Sequence, residues 1–258
     1  MNIYYKERNL NGFKALIENN KCISFNSSIN EERITSYLNQ KFDFPFIQRL
    51  LYVKDKGLCF KKLDLSLKNI ICEPDFNCSL KLLLFIVFLF ILKSNDELML
   101  NHNDLTVRNI MFNRRKNDEI IQIKLKDKIY KIQNQCNYYP YIIDFEHSQI
   151  FKDKIFLLKE NLIEKKYNIN HRHNSVFLDI FNFLMSLKLI FKDELYRYKI
   201  PDYYLVDRIY DKIFTNQFNI VDIIFVNYDE FITKGIKKDI LDIYNSDKIN
   251  ELFEMLMK

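Results

Sequence analysis

A chain of 258 residues can bury a sizeable core in one or two domains. With 3 Gly and 4 Pro it has no material for a Gly/Ser linker or a Pro-rich tether, so one continuous domain, or two parts sharing a tight joint, is expected. The net charge of +5 comes from Lys and Arg interleaved with Asp and Glu, as at Lys152–Asp153–Lys154, and lacks the basic clustering of a nucleic-acid interface.

The opening "MNIYYKERNL" has no apolar h-region, so no secretory signal is expected. "NIYYKE", "GFKALIE" and "KCISFN" are strand-length pieces separated by turn chemistry, and the second and third read as a hairpin. "SSINEERITSYLNQ" reads as a helix capped by Ser28 or Asn30, with an acidic first turn and an apolar face of Ile34, Tyr37 and Leu38. "FIQRLLYVKDKGLCFKKLD" follows as a hairpin turning at Asp55–Lys56–Gly57. "SLKNII" and residues 79 to 93 are helical. The run "LLLFIVFLFIL" between Lys81 and Lys93 is far short of the ~20 residues that span a bilayer, and a buried helix is expected there. "NIMFN", "EIIQIKLKDKIYKI" and "YYPYIIDF" are strand-like, and from about 153 the period is helical through "VFLDIFNFLMSLKLIF" to "KINELFEMLMK". The fold class is therefore α+β: a small strand-rich part with one helix, then a larger helical part.

Three polar clusters stand where elements end: Asp104 with Asn109, Asp144, and Glu31. Five residues apart in a loop, Asp104 and Asn109 can converge while Leu105 and Ile110 anchor the loop inward. Asp144 follows the apolar "YII" and is offered at a strand end. A carboxylate and an amide oxygen are hard donors that suit Mg²⁺, and a second carboxylate beside them can accept a hydroxyl proton. Phosphoryl transfer needs such a set. Read singly, Asp104 and Asn109 are also ordinary turn residues, and Glu31 an ordinary early helix residue.

"HNDLTVRN" (102–109) resembles the catalytic loop H-R-D-x-x-x-x-N of eukaryotic-type protein kinases, and "IIDFE" (142–146) is similar to their strand and D-F-G. "EERITSYLN" resembles helix C, "FPFI" the strand after it, and "VFLDIFNFL" the helix whose Asp, here Asp179, braces the catalytic loop. The long interval between Asp104 and Asp144 is similar to the extended hairpin of haspin and haspin-like kinases of large DNA viruses, and the AT-rich coding bias of the chain suits a poxvirus-like source.

The resemblance implies a two-lobed kinase fold: an N-lobe over 1–62, a hinge at 63–66 and a C-lobe over 67–258. It implies ATP in the cleft, with Lys61 to Leu65 offering backbone groups to adenine. Mg²⁺ would be held by Asn109 and Asp144, with Asp104 as catalytic base and a protein Ser or Thr hydroxyl as acceptor. Arg108 would neutralise charge near the transferring phosphoryl, and Glu31 would pair with the phosphate-binding lysine. A cytoplasmic or virion location follows from the same resemblance.

The departures are concentrated near the start. No G-x-G-x-x-G is present, and "NLNGFKAL", with Gly12 at its tip, stands where its remnant would be. No V-A-I-K is present; Lys21 is the preferred phosphate lysine and Lys14 the alternative. Asn103 replaces the usual Arg, Glu146 replaces the Gly of D-F-G, and no A-P-E lies between Ser148 and Asp179. A non-catalytic pseudokinase, or a small-molecule phosphotransferase of the aminoglycoside or choline kinase type, shares enough of the pattern to stay open. The five cysteines form no C-x-x-C pair, which favours free thiols, and Cys72 with Cys78 lacks the further ligands of a zinc site. His171 with His173, and Arg114–Arg115–Lys116, read as surface residues.

Overall fold

The structure, a computed structural model, describes residues 3–7, 13–18, 21–25, 27–54, 57–70, 80–114, 120–133, 138–152, 176–192 and 203–213. Within these, only the backbone is described for 13–18, 21–25, 27, 28, 68, 133, 176–178, 212 and 213. Gly12, Cys72, Cys78, Arg115, Lys116, His171, His173 and the last segment "KINELFEMLMK" lie outside the described residues.

The strand-length pieces of the first quarter form as their pattern requires: β1 (Ile3–Glu7), β2 (Phe13–Glu18) and β3 (Lys21–Phe25) lead into α1 (Ser27–Lys41), then β4 (Leu50–Lys54) and β5 (Gly57–Lys61). β2 and β3 make a hairpin of their own, while β1 crosses to the other hairpin in a sheet ordered β1-β5-β4. Opposite Lys6 in that register is Leu58, which with Leu50 and Phe60 makes a small apolar cluster under one face. Tyr5 lies on the other face. A Cβ at Gly57 would stand 2.3 Å from the far end of the Tyr5 ring, so a larger residue there would have to push that exposed ring aside.

α1 starts earlier than its acidic residues suggested. Its first turn holds no acid, and Ser28 and Asn30 fall inside the helix rather than capping it. Burial decides the start: Asn30 and Glu31 face inward beside Ile34 and Leu38, not outward at a helix tip. At the other end, the Arg49 guanidinium donates to the carbonyl oxygens of Leu38 (2.8 Å), Phe42 (2.9 Å) and Phe44 (2.9 Å), tying the end of α1 to the turn that follows it.

The chain continues through β6 (Leu65–Ser66), α2 (Leu67–Ile70), α3 (Leu80–Leu98) and β7 (Leu100–Asn101). Then come β8 (Ile110–Arg114), the hairpin β9 (Ile120–Leu125) and β10 (Lys128–Gln133), β11 (Tyr138–Ile142), β12 (Gln149–Ile150), α4 (Val176–Ile190) and α5 (Tyr204–Ile213). α3 is the greasy segment, buried over most of its length, with one stripe through Lys81, Phe85, Leu92 and Asp96 reaching the surface. Among the described residues no helix is long and apolar enough to cross a membrane. Lys93, although buried, ion-pairs with Glu97 and donates to Lys124 O at 2.8 Å, so its charge is satisfied while it ties the β9–β10 hairpin to α3.

β8 is central to a sheet ordered β11-β8-β6, and a parallel bridge from Ile47 to Ile142 joins its edge to the loop after α1. Below it Phe42, Phe44, Phe46, Phe90 and Tyr139 pack ring against ring, with Phe90 also 6.2 Å from the Phe145 ring. Phe90→Ala is expected to cost about 3–5 kcal/mol, because the void lies among rings that cannot collapse together. Urea denaturation followed by tryptophan-free far-ultraviolet dichroism measures it, and a loss under 1 kcal/mol would contradict this packing.

Candidate active site

The loop between β7 and β8 is fixed from beneath. His102 N–H donates to Asp179 Oδ2 at 2.7 Å and Asn103 N–H to Asp179 Oδ1 at 2.8 Å, so one carboxylate from α4 holds two consecutive amides. Asp179 braces the loop as its motif position suggests. Burial pushes its carboxyl up to about 7 against the opposing pull of those two N–H groups. The His102 ring is fully buried 4.9 Å from Phe145 and its Nε2 pairs with Ile143 O at 3.0 Å. Burial lowers its pKa, so the ring is neutral with the proton on Nε2 and acts as a strut.

Above this support the loop turns through Thr106 N–H to Asp104 O at 2.9 Å, and the 3-10 turn Val107–Asn109 is anchored by Val107 N–H to Ser186 Oγ at 3.0 Å. Asn109 Nδ2 donates to both Asp104 O (2.7 Å) and Asp104 Oδ2 (2.8 Å). Sequence spacing had these two converge, and they do. The bond also orients the Asn109 amide, leaving its oxygen as the group with capacity for a cation.

Asp144 comes to the same place from β11. Ile143 N–H donates to Asn109 O at 3.0 Å, which sets Asp144 one residue beyond. Asp144 has φ 65° and Asn103 has φ 65°, two of the four non-glycine positive-φ residues described. Such residues cluster where the surroundings over-determine a side chain's direction.

The third contributor was not found from the sequence. Lys6 Nζ lies 2.9 Å from Glu31 Oε2, 2.9 Å from Asp144 Oδ1 and 3.4 Å from Glu146 Oε2. Three carboxylates that lie within 4.8 Å of one another therefore share one ammonium. Burial alone would lower the Lys6 pKa, but Glu31 and Asp144 overcome it and the pKa is raised. Burial lifts Glu31 to about 7 against the pull of Lys6. A hydrogen bond from His147, and then the charge of Lys6, holds Glu146 down at about 2, and the same Glu146 contact raises His147.

A lysine paired with Glu31 is thus Lys6 on β1; the side chains of Lys21 and Lys14, to which the kinase resemblance gave that role, are not among those described. Lys21 and Lys14 lie on the β2–β3 hairpin, which is inserted between β1 and α1. Glu31 is ion-paired, with Lys6 as its partner. Arg108 is exposed on the 3-10 turn, and Gly12 lies outside the described residues. Lys6→Met is expected to destabilise the protein by about 3 kcal/mol, the lower end for breaking a buried pair, because Glu31 can take up a proton. Chemical denaturation at pH 7 checks it, and an unchanged midpoint would mean that the cluster is not closed by Lys6. No family model and no curated protein matches the chain.

Proposed function

We propose that this chain is an ATP- and Mg²⁺-dependent protein kinase that transfers the γ-phosphoryl group to Ser or Thr hydroxyls of proteins. Its fold on this reading is two-lobed, with residues 1–62 and 67–258 on either side of a hinge at 63–66. The observation that carries the reading is the meeting of Lys6, Glu31 and Asp144 through 2.9 Å contacts, beside a loop in which Asn109 fixes Asp104.

The residues present fit the cofactors. Asp144 offers a carboxylate and Asn109 an amide oxygen, the hard donors that Mg²⁺ accepts while keeping its waters. Bound Mg²⁺ supplies neutralisation of phosphate charge. Lys6, held by Glu31, offers its ammonium to the phosphates, and exchanges a carboxylate for phosphate oxygen as nucleotide enters. Asp104, oriented by Asn109, accepts the proton of the attacking hydroxyl; positioning and charge stabilisation do the rest.

The test is labelled ATP with the protein alone and with a basic protein mixture, with and without Mg²⁺, followed by phosphoamino-acid analysis. Metal-dependent phosphoserine or phosphothreonine is expected. A second reading, a non-catalytic nucleotide-binding module, is favoured by one observation: Glu146 gives Lys6 a third anionic partner that nucleotide must displace. A melting shift with ATP plus Mg²⁺ that EDTA removes, without any transfer, would select that module; no shift and no transfer would reject both.

A further inference from the structure

The segment that follows Asp144 is gripped from two sides by asparagine amides. Asn30, buried on α1, donates from Nδ2 to Glu146 O at 2.8 Å and to Ser148 O at 2.9 Å. Asn103, in the loop braced by Asp179, donates from Nδ2 to His147 O at 2.8 Å and lies 3.3 Å from Gln149 Oε1. Three successive carbonyl oxygens, those of residues 146, 147 and 148, are thereby held by two side chains, and Ser148 Oγ adds a bond to His102 O at 3.3 Å. The carbonyl partners require that nitrogen, not oxygen, face the segment at both asparagines. Each asparagine leaves its own Oδ1 buried without a partner among the described residues, a penalty that packing alone would not call for.

We infer that Asn30 and Asn103 are positioning residues. They lock the 145–149 segment so that Asp144 stays in its left-handed conformation with its carboxylate beside Lys6. This rests on the phosphotransferase reading for its consequence, which is metal and nucleotide affinity, but the lock itself is a property of the fold. Because Asn30 directly precedes Glu31, the same helix residue pair holds both ends of the ion cluster: Glu31 takes Lys6, and Asn30 takes the backbone beyond Asp144.

The test compares the full chain with Asn30→Asp, Asn30→Ala and Asn103→Ala by hydrogen exchange at the amides of 145–150, with α4 as internal reference. In parallel, ATP binding is titrated with Mg²⁺. Aspartate keeps the shape of asparagine but sets a carboxylate against two carbonyls, so Asn30→Asp is expected to lose more protection than Asn30→Ala while α4 is unchanged. The Mg²⁺ needed for half-maximal ATP binding is expected to rise about 10–100-fold, as for other groups that orient a metal ligand. A space-filling role predicts the reverse order, with Asp behaving as wild type, and would overturn the inference, as would protection in Asn103→Ala equal to wild type. If wild type binds no ATP, the kinase reading fails, and the exchange order at 145–150 still decides the lock.

Discussion

On the kinase reading, Asp104→Asn is expected to reduce phosphoryl transfer by about 10²–10⁴-fold while leaving the protein folded, the loss that accompanies removal of a general base. The fold should not notice the change. Asp104 is half-buried and, among the described residues, its carboxylate accepts a hydrogen bond from Asn109 Nδ2 at 2.8 Å, which the amide oxygen of an asparagine can accept equally well. The turn bond from Thr106 uses the Asp104 backbone and survives any substitution. A melting temperature close to wild type, with metal-dependent ATP binding intact and transfer lost, isolates the proton-accepting role. Unchanged transfer in this variant would remove Asp104 from the chemistry.

The second large effect concerns stability. Asp179→Ala is expected to cost about 3–5 kcal/mol, because it leaves the N–H groups of His102 and Asn103 buried without acceptors. Asp179→Asn keeps one acceptor oxygen and should fall between. The pH dependence carries its own signature. The Asp179 and Glu31 carboxyls are raised to about 7 in the folded chain, from ordinary values of 3.8 and 4.5. Between about 4 and 7 the folded state therefore holds more protons than the unfolded one, and stability falls as pH rises through that window. Glu146, held near 2, acts below it: its contribution is lost only as pH falls from about 4.5 toward 2. His102, His147 and Glu31 are common to wild type and Asp179→Asn, so the difference in melting temperature between the two isolates Asp179. That difference should shrink from pH 4.5 to pH 7.5; a constant difference would place the Asp179 carboxyl at its ordinary value.

The polar loop was legible because its residues act over short spans and their partners stand in apolar periodic segments. Asp104 and Asn109 are five residues apart, and Asp179 sits on a helix that its apolar period marks plainly, so their meeting needs only correct elements. Lys6 was not legible. Its contact with Asp144 spans 138 residues, and the motif reading looked for a lysine on the strand directly before the helix, whereas here a hairpin intervenes. One lysine in "IYYKE" carries no local mark of its role; only the register that sets it opposite Leu58 turns it toward Glu31. The start of α1 was misplaced for a related reason. Acidic residues at a helix start are stabilised by the dipole, but Glu31 is there for Lys6, and tertiary burial overrode the local preference. Asn30 looked like a cap and is a cross-link.

Arg49 anchors the far end of α1 to the loop behind it, so the helix that carries Glu31 is moored where it would otherwise pivot. A ligand's apparent affinity is its intrinsic affinity scaled by the fraction of molecules already in the competent state. On the kinase reading, mooring the helix in this way raises that fraction before nucleotide arrives. Arg49, which makes no contact with Lys6, Glu31 or Asp144 among those described, is on that reading a determinant of how many molecules are ready to bind.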